Sequence, residues 1–293
     1  MAASRTEERH PQSEGIHSLS GDVVLSRVLM AQSAAISAVE RSIPQITQAA
    51  DAGARSLGGG GRMGYAGAGS SGLMAMADCL ELPGTFGIAP DRLPILFAGG
   101  VQALVHMQGH VEDDPALAIA DLERSGLVAG DTVLCLAASG ATPFTLTIAA
   151  EAKARGVTVV GFANVAQSPL LQAADIPVFL DTGPEIIAGS TRMTAGTSQK
   201  IALNMLSVLV GIRLGHVHDG FMVNLVADNR KLIDRAARMV AALSGADTDR
   251  AIMALRQSDG RVKPAVLIAR GFTPEEAEKA LTETGGHLAP ILS

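Results

Sequence analysis

The sequence predicts an α/β fold in which a mostly parallel sheet is flanked by helices and followed by a small helical module. Short apolar runs that are typical of buried strands alternate with longer runs whose apolar residues recur at helical spacing. The clearest strand covers residues 131–137, and the clearest long helix covers residues 195–214. Strands that alternate with helices are normally joined by right-handed crossovers, which makes the sheet parallel.

The chain has 293 residues, which is enough for one large domain and a small appendage. Hydrophobic residues make up 47% and charged residues 18%, so a sizeable core is available and global disorder is excluded. We predict an N-terminal arm at residues 1–20, a sheet domain at residues 21–245 and a helical module at residues 246–293.

The elements are expected in a regular order. The predicted strands are residues 63–66, 94–98, 131–137, 157–161 and 176–180, and none is expected after residue 195. Pro177 predicts that the last strand lies at an edge, because proline cannot donate to a central ladder. The predicted helices are one or two in residues 21–56, then 73–80, 144–154, 195–214, 222–243 and two or three short ones after residue 247.

Charge and composition exclude several classes of partner. The net charge is −6, aromatic residues are 3% and tryptophan is absent, so a nucleic-acid surface is not expected. The N-terminus is polar and no uncharged apolar run reaches the roughly 20 residues of a membrane span. We therefore expect a cytoplasmic protein without a membrane partner.

Cysteine and histidine spacing gives no metal site. Cys79 and Cys135 form no CxxC pair, and Cys135 lies inside the strongest strand, where a buried, unreactive thiol is expected. His106 and His110 are four residues apart but lack a third ligand. His216 and His218 fall in a predicted turn and are expected at the surface.

Three short stretches, residues 67–72, 138–143 and 189–192, are suited to holding an anion. Two of them follow a predicted strand and precede a predicted helix, where unpaired amides and the helix dipole favour negative charge. Neither matches the P-loop or the dinucleotide GxGxxG pattern, and a tight strand-to-helix turn is the alternative interpretation of each. Taken together they predict a phosphorylated small molecule, a sugar phosphate rather than a nucleotide. The candidate binding residues are Gly69, Ser70 and Ser71, then Ser139 and Thr142, then Ser190, Thr191 and Arg192.

Three glutamates lie near these stretches. From spacing alone, Glu81 is typical of a solvated residue near a turn, and Glu112 belongs to an acidic cluster with Asp113 and Asp114 that suits a helix start. Glu185 precedes the third stretch and is a candidate both to order it and to contribute to the binding site.

The run from Gly183 to Lys200 resembles the signature of the N-acetylmuramic acid 6-phosphate etherase family. That family has the sugar-isomerase (SIS) fold, as does the glucokinase regulatory protein. Shorter matches at residues 6–7, 83–87, 112–114 and 203–207 support the resemblance, which extends from about residue 6 to about residue 243.

The resemblance implies a lyase. The family cleaves the lactyl ether of a phosphorylated amino sugar, giving N-acetylglucosamine 6-phosphate and D-lactate, without a metal or organic cofactor. Its two catalytic glutamates correspond to Glu81 and Glu112 by their flanking residues. We assign Glu81 as the proton donor to the leaving oxygen and Glu112 as the partner acid or base, and the two roles are interchangeable at this stage. The fold also implies a homodimer whose sites are completed by the neighbouring chain.

Three positions depart from the family pattern. Leu73 and Ala141 stand where the first two stretches usually carry arginine, and Thr194 stands where lysine is usual. Because arginine binds phosphate and carboxylate bidentately, these changes weaken the expected anion recognition. Two alternatives to the lyase therefore remain: a non-catalytic sugar-phosphate sensor, and an aldose–ketose isomerase of the same fold.

Overall fold

A computed structural model describes residues 5–107, 109–225 and 230–293 of the chain. Within these residues the contacts separate two compact units. The first contains residues up to 80 and residues 90–209, and the second contains residues 81–89 and the residues from 210 onward. Each unit is described below by itself.

The first unit is built on a five-stranded parallel sheet. Its strands are β1 (Met63–Gly67), β2 (Ile95–Phe97), β3 (Thr132–Leu136), β4 (Thr158–Ala163) and β5 (Ile176–Phe179). Their order across the sheet is β2-β1-β3-β4-β5. The predicted α/β class with a parallel sheet is confirmed, and β5 with its Pro177 lies at an edge. The chain turns from one side of β1 to the other between β2 and β3, which is where open parallel sheets bind ligands.

Nine helices flank this sheet or continue from it among the described residues. They are α1 (Gly21–Gln32), α2 (Ala34–Arg41), α3 (Ile43–Gly58), α4 (Gly69–Phe86), α5 (Gly100–Val105), α6 (Pro115–Ser125), α7 (Pro143–Ala154), α8 (Pro169–Ala173) and α9 (Thr194–Arg213). Helices α6 and α7 pack on the sheet face that carries Val133 and Cys135. The buried Cys135 thiol therefore matches its prediction, and burial raises its pKa to about 12.

Two helical regions differ from their predictions, residues 21–56 and helix α4, which also ends at Phe86 and not at residue 80. Residues 21–56 form three helices rather than one or two, because the chain breaks at Ser33 and Ser42. Helix α4 begins at Gly69, four residues earlier than predicted, so the first anion stretch is itself the first turn of a helix. That position leaves the amides of the stretch without intrahelical partners.

The N-terminal arm folds onto the first unit. It forms three short 3₁₀ turns, and the buried Thr6 accepts a hydrogen bond from the Gly189 amide at 3.0 Å. Arg5 pairs with Asp181 at 2.9 Å. These contacts place the acidic side chain of Glu7 beside the third anion stretch.

Helices α1 and α2 form an apolar segment. By length and composition alone, residues Gly21–Arg41 meet the requirements of a membrane span, with a mean hydropathy of 1.3 and 22% of the window buried. Core helices of soluble proteins meet the same two requirements, so the finding is weak support for a span. Several large apolar side chains of this segment are exposed, among them Leu25, Leu29, Met30 and Ile36.

The second unit is mostly helical. Its elements are a hairpin of β6 (Val217–His218) and β7 (Phe221–Met222), then α10 (Arg230–Ser244), α11 (Thr248–Gln257), α12 (Val262–Ala269), α13 (Pro274–Glu283) and α14 (Ala289–Leu292). The hairpin corrects the expectation that no strand follows residue 195. Part of the predicted helix 222–243, residues 226–229, lies outside the described residues. Because α10 packs against α11 and α12, it groups with the C-terminal helices, whereas the boundary predicted at residues 245–246 separates it from them.

Candidate active site

A cavity of about 370 Å³ lies at the carboxyl ends of β1 and β3 in the first unit. All three predicted anion stretches, the N-terminal arm and the turn before α6 contribute to its wall. The lining residues are Thr6, Glu7, Ala68, Gly69, Ser70, Ser71, Met107, Glu112, Ala137, Ala138, Ser139, Thr142, Gly189 and Thr191. The structure thus brings together Glu112 and six of the predicted binding residues: Gly69, Ser70, Ser71, Ser139, Thr142 and Thr191.

Gly69 shapes the floor of the cavity at the start of α4. Its φ of +53° lies in the left-handed region, and a Cβ atom there would stand 2.8 Å from Oε1 of Glu112. Only glycine enters this conformation without a steric cost. The missing side chain therefore allows the Glu112 carboxyl to lie against the first turn of α4.

The second stretch is connected to the first by a buried hydroxyl. Ser71 Oγ accepts a hydrogen bond from the Ala138 amide at 3.2 Å, and Ser139 Oγ accepts one from the Ala141 amide at 3.2 Å. Thr142 is the N-cap residue of α7, and Pro143 occupies the first turn as predicted. Two helix starts, those of α4 and α7, therefore contribute to one cavity.

The third stretch enters the cavity through Gly189 and Thr191. Gly189 has a φ of +73°, and a Cβ atom there would stand 2.7 Å from a carboxyl oxygen of Glu7. Ser190 and the exposed Arg192 are not among the lining residues. Arg192 is the one cation among the predicted binding residues, and in the described chain it is not part of the cavity wall.

Glu185 binds the backbone that directly follows the third stretch. It is fully buried, and its two carboxyl oxygens accept the amides of Thr194 and Ala195 at 2.9 and 2.8 Å. A carboxylate at the first turn of a helix satisfies unpaired amides and interacts favourably with the dipole. Glu185 therefore fixes the start of α9 and lies outside the lining.

Glu112 is the half-buried carboxyl of the cavity. It sits in a 3₁₀ turn, Gly109–Asp113, just before Asp114 caps α6 by accepting two amides. Desolvation raises the pKa of Glu112, and the neighbouring Asp113 charge raises it further. A carboxyl with a raised pKa retains its proton closer to neutral pH, which suits an acid–base group.

Glu7 is a second cavity carboxyl that the sequence interpretation did not assign to the site. In the sequence, Thr6 and Glu7 match the etherase family, and no strand or loop pattern surrounds them to indicate a site. The signal that places it is tertiary: the Thr6 carbonyl binds the Gly189 amide, about 180 residues away in sequence.

Glu81 lies elsewhere on its helix. It is exposed, and it is not among the residues that line the 370 Å³ cavity. It belongs to the second unit, which includes the end of α4, whereas every residue that lines the cavity belongs to the first unit. The residues that line the cavity therefore include Glu112 and not Glu81.

His106 and His110 are the pair of histidines for which the sequence predicts no metal site. His106 follows the end of α5 and His110 lies in the 3₁₀ turn before α6. Across residues 5–107, 109–225 and 230–293, no group of three or more metal-ligating side chains is found. His216, expected at the surface, is instead half-buried, and burial lowers its pKa to about 4.

Comparison with known proteins decides the family. Residues 30–164 match the model of the SIS domain. A curated N-acetylmuramic acid 6-phosphate etherase from Deinococcus radiodurans is 42% identical, with 98% of this chain and 95% of that protein aligned. Another from Aeromonas hydrophila is 40% identical over 99% of this chain and 97% of that protein. This chain belongs to the N-acetylmuramic acid 6-phosphate etherase family. The resemblance noted in the sequence is therefore confirmed.

Solved structures support the fold of this etherase-family chain. A phosphoheptose isomerase from Francisella tularensis superimposes with a TM-score of 0.50 at 19% identity, covering 65% of this chain and 97% of that one. The corresponding enzyme from Neisseria gonorrhoeae gives 0.50 at 15% identity, covering 64% and 98%. The SIS-type fold predicted from sequence is thus confirmed.

The cavity of this etherase-family chain carries acidic and no basic side chains among its described lining residues. Among the described lining residues there are two carboxyls and no lysine, arginine or histidine. The three residues that depart from the family pattern differ in exposure. Leu73 is half-buried, Ala141 is exposed and Thr194 is buried at the start of α9. Among the described lining residues, the groups available to an anion are therefore helix amides and hydroxyls.

Proposed function

We propose that this chain is a carbon–oxygen lyase that cleaves the D-lactyl ether of N-acetylmuramic acid 6-phosphate. The products are N-acetylglucosamine 6-phosphate and D-lactate, as expected for amino-sugar recycling. The observation that carries the proposal is the identity of about 40% to named etherases along nearly the whole chain. The cavity adds chemical support, because it combines an acid–base carboxyl with neutral anion-binding groups.

The phosphate is held at the starts of α4 and α7 in this proposal. Unpaired amides of the first helical turns point toward an anion, and the hydroxyls of Ser70, Ser139 and Thr142 add neutral donors. Thr191 contributes a further hydroxyl from the third stretch. Glu185 positions that stretch by binding the helix amides behind it.

The reaction proceeds by elimination and hydration. A base takes the proton from the carbon next to the open-chain aldehyde, and the resulting electron pair forms a carbon–carbon double bond. The ether C–O bond breaks, and its electron pair leaves on the lactate oxygen, which an acid protonates. Water then adds to the double bond, restoring the proton and placing a hydroxyl where lactate stood. Glu112 performs one of the two proton transfers, and its raised pKa suits either direction.

Glu81 supplies the second carboxyl from a neighbouring copy of the chain. Its exposed position on α4 leaves it free to face another molecule. The family's SIS fold pairs its chains, and the exposed apolar side chains of α1 and α2, such as Leu25 and Leu29, offer a surface that a second copy covers. Glu7 is the rival for this role, because it already lies in the same cavity.

Lactate release from N-acetylmuramic acid 6-phosphate tests the proposal directly. Purified protein should release D-lactate, and Glu112→Gln should abolish the release, while Glu123→Gln on the exposed surface of α6 should leave it unchanged. No lactate from folded wild-type protein would contradict the lyase assignment.

A mixing experiment tests the paired site. If Glu81 acts across two chains, equal amounts of Glu81→Gln and Glu112→Gln form heterodimers in which one of two sites keeps both glutamates. Random exchange then restores about a quarter of wild-type activity from two inactive proteins. No recovery would mean that both glutamates act within one chain. Full activity of Glu81→Gln alone, with loss in Glu7→Gln, would assign the second carboxyl to Glu7.

A sugar-phosphate sensor is the second candidate, favoured by the lack of a cationic side chain among the described lining residues. A sensor would be stabilised thermally by sugar phosphates without turning them over. An isomerase of the same fold would convert an aldose phosphate to a ketose phosphate and release no lactate. Product analysis of one incubation separates the three activities.

The cellular location proposed is the cytoplasm. Both cysteines are free and buried, which is usual for proteins of a reducing compartment. Fractionation of cells that express the full chain would test this location.

A further inference from the structure

A second cavity, of about 540 Å³, lies wholly within the helical unit. Most of its wall is apolar, including Val223, Leu225, Val262 and Leu281. The wall also contains Lys263, the second residue of α12, whose surface is only 8% exposed. The cavity is distinct from the 370 Å³ cavity of the sheet unit, since the two share no lining residue.

Lys263 has no counterion in the described parts of the chain. The other lysines described, Lys153, Lys200 and Lys279, each lie within 4.0 Å of a carboxylate. No hydrogen bond or ion pair links Lys263 to any residue within 5–107, 109–225 or 230–293. Burial without a partner lowers the pKa of its ammonium to about 8. A buried cation is normally paired, because losing its hydration is costly.

The surroundings of Lys263 leave space, and the described lining residues offer no carboxylate to neutralise its charge. Gly286 lines the same cavity, and a Cβ atom there would stand 3.3 Å from the Lys263 Nζ, so the ammonium lies beside this glycine. Lys263 also helps to lower the pKa of the half-buried His216. Arg261 lines the cavity and pairs with Glu278, and no carboxylate is among the described lining residues.

Helix α12 adds to this field at its start. It has eight residues, and Arg261 is its N-cap residue without a capping side-chain bond to the described chain. The amides of Val262 and Lys263 are in its first turn, where intrahelical acceptors are missing. A buried ammonium and a helix start thus face one apolar cavity.

We propose that this cavity binds a small organic anion, a carboxylate or phosphate monoester on an apolar body, with Lys263 as its counterion. The anionic group lies against the ammonium beside Gly286, and the apolar body packs on the walls formed by Val223, Leu225 and Leu281. The site is separate from the proposed etherase site, and the two proposals stand or fall independently.

Lysine footprinting of the intact protein tests this site without any mutation. The protein is acylated under limiting reagent near neutral pH, alone or with octanoate, phenyl phosphate or inorganic phosphate at millimolar concentration, and each lysine is followed by peptide mass spectrometry. We expect octanoate or phenyl phosphate to lower acylation of Lys263 severalfold and to leave the exposed Lys279 unchanged. The two organic probes distinguish a carboxylate site from a phosphate site. Equal acylation of Lys263 with and without every probe would overturn the proposal.

Variants of Lys263 test whether its ammonium group is needed for binding. Lys263→Met keeps most of the apolar stem and removes the charge, so calorimetric binding of the protective probe should be lost, whereas Lys263→Arg should retain it. Lys279→Met is the matched control on the same unit and should bind like wild type. Unchanged binding by folded Lys263→Met would refute the role of Lys263. Where that variant does not fold, the wild-type footprint alone decides. Neither readout uses lactate release, so failure of the etherase proposal would be visible separately.

Discussion

The hydroxyl of Ser71 joins the first and second stretches by accepting the Ala138 amide at 3.2 Å. Ser71 lies in the first turn of α4, and Ala138 follows the end of β3. The bond is buried, and it links the first two predicted anion stretches directly. Ser70, its neighbour, lines the same cavity without taking part in this bond.

Ser71→Ala is expected to destabilise the fold by about 1–3 kcal/mol, because the buried Ala138 amide loses its acceptor. The same change should reduce kcat/KM, since the two stretches are no longer fixed together. Ser70→Ala is the matched comparison and should raise KM while leaving the free energy of unfolding close to wild type. Urea unfolding and steady-state lactate release measure the two effects. Equal unfolding free energies for both variants would show that the Ser71 bond is not structural.

Gly69→Ala is expected to damage activity through the Glu112 carboxyl. The new Cβ would stand 2.8 Å from Glu112 Oε1 at a φ of +53°, so the carboxyl must move and the backbone is strained by about 1–2 kcal/mol. A displaced acid–base group should lower kcat by about tenfold or more, the rate change for a 1.4 kcal/mol barrier increase. Gly21→Ala, where a Cβ meets nothing within 4 Å, is the control. Wild-type kcat in Gly69→Ala would mean that Glu112 tolerates displacement.

Glu112 should oppose folding when it is ionised. Its pKa in the folded chain is raised by desolvation and then by Asp113, so at pH values above that pKa the unfolded state gains more from losing the proton. Glu112→Gln removes this penalty. The variant is therefore expected to melt at a higher temperature than wild type near neutral pH, and the difference should vanish as pH falls below the unfolded pKa of the carboxyl. Thermal melts across pH measure this effect, and a difference that grows toward acid pH would contradict it.

The sheet could be predicted because each strand carries a local signal. The run 131–137 is continuously apolar, and β3 is buried at all five positions. The positions of both anion stretches followed from the strand-to-helix pattern, and the topology brings them together at the carboxyl ends of β1 and β3. The family resemblance points to Glu112, and the structure places this residue in the wall of that cavity.

The contacts that the sequence could not supply are long-range. Glu7 enters the cavity because the arm bonds to Gly189, and no periodicity encodes that contact. Tyr65 in β1 donates to the buried Asp78 of α4 at 3.0 Å, and such a polar pair inside an apolar run is invisible to patterning. The hairpin β6–β7 has only two residues in each strand, too few for an alternating pattern.

Glu185→Gln is expected to loosen the start of α9. The carboxylate accepts two amides, at 2.9 and 2.8 Å, and glutamine offers one acceptor and one donor in its place. One amide is then left facing a donor in a buried site, which should cost about 1–3 kcal/mol of unfolding free energy. The third stretch should also move, raising KM. Glu283→Gln, at an exposed i,i+4 pair with Lys279, is the control and should change stability by less than about 1 kcal/mol. Denaturant unfolding decides between these expectations.

Ala141→Arg should restore a cation that the family usually carries in the second stretch. Ala141 is exposed and adjacent to the cavity residues Ser139 and Thr142, so a long side chain has room to reach the anion. A charge-assisted bond stabilises by about 1.5–3 kcal/mol when well formed, and KM for a phosphorylated substrate should fall by about tenfold. Ala141→Met, which adds length without charge, is the control and should leave KM near the wild-type value.

The fall in KM caused by Ala141→Arg should become smaller with rising salt, because an exposed charge is screened. An equal fall in KM for both variants would show that packing, and not charge, limits binding. An unchanged KM in Ala141→Arg would mean that this chain already binds the anion through cations outside the described lining.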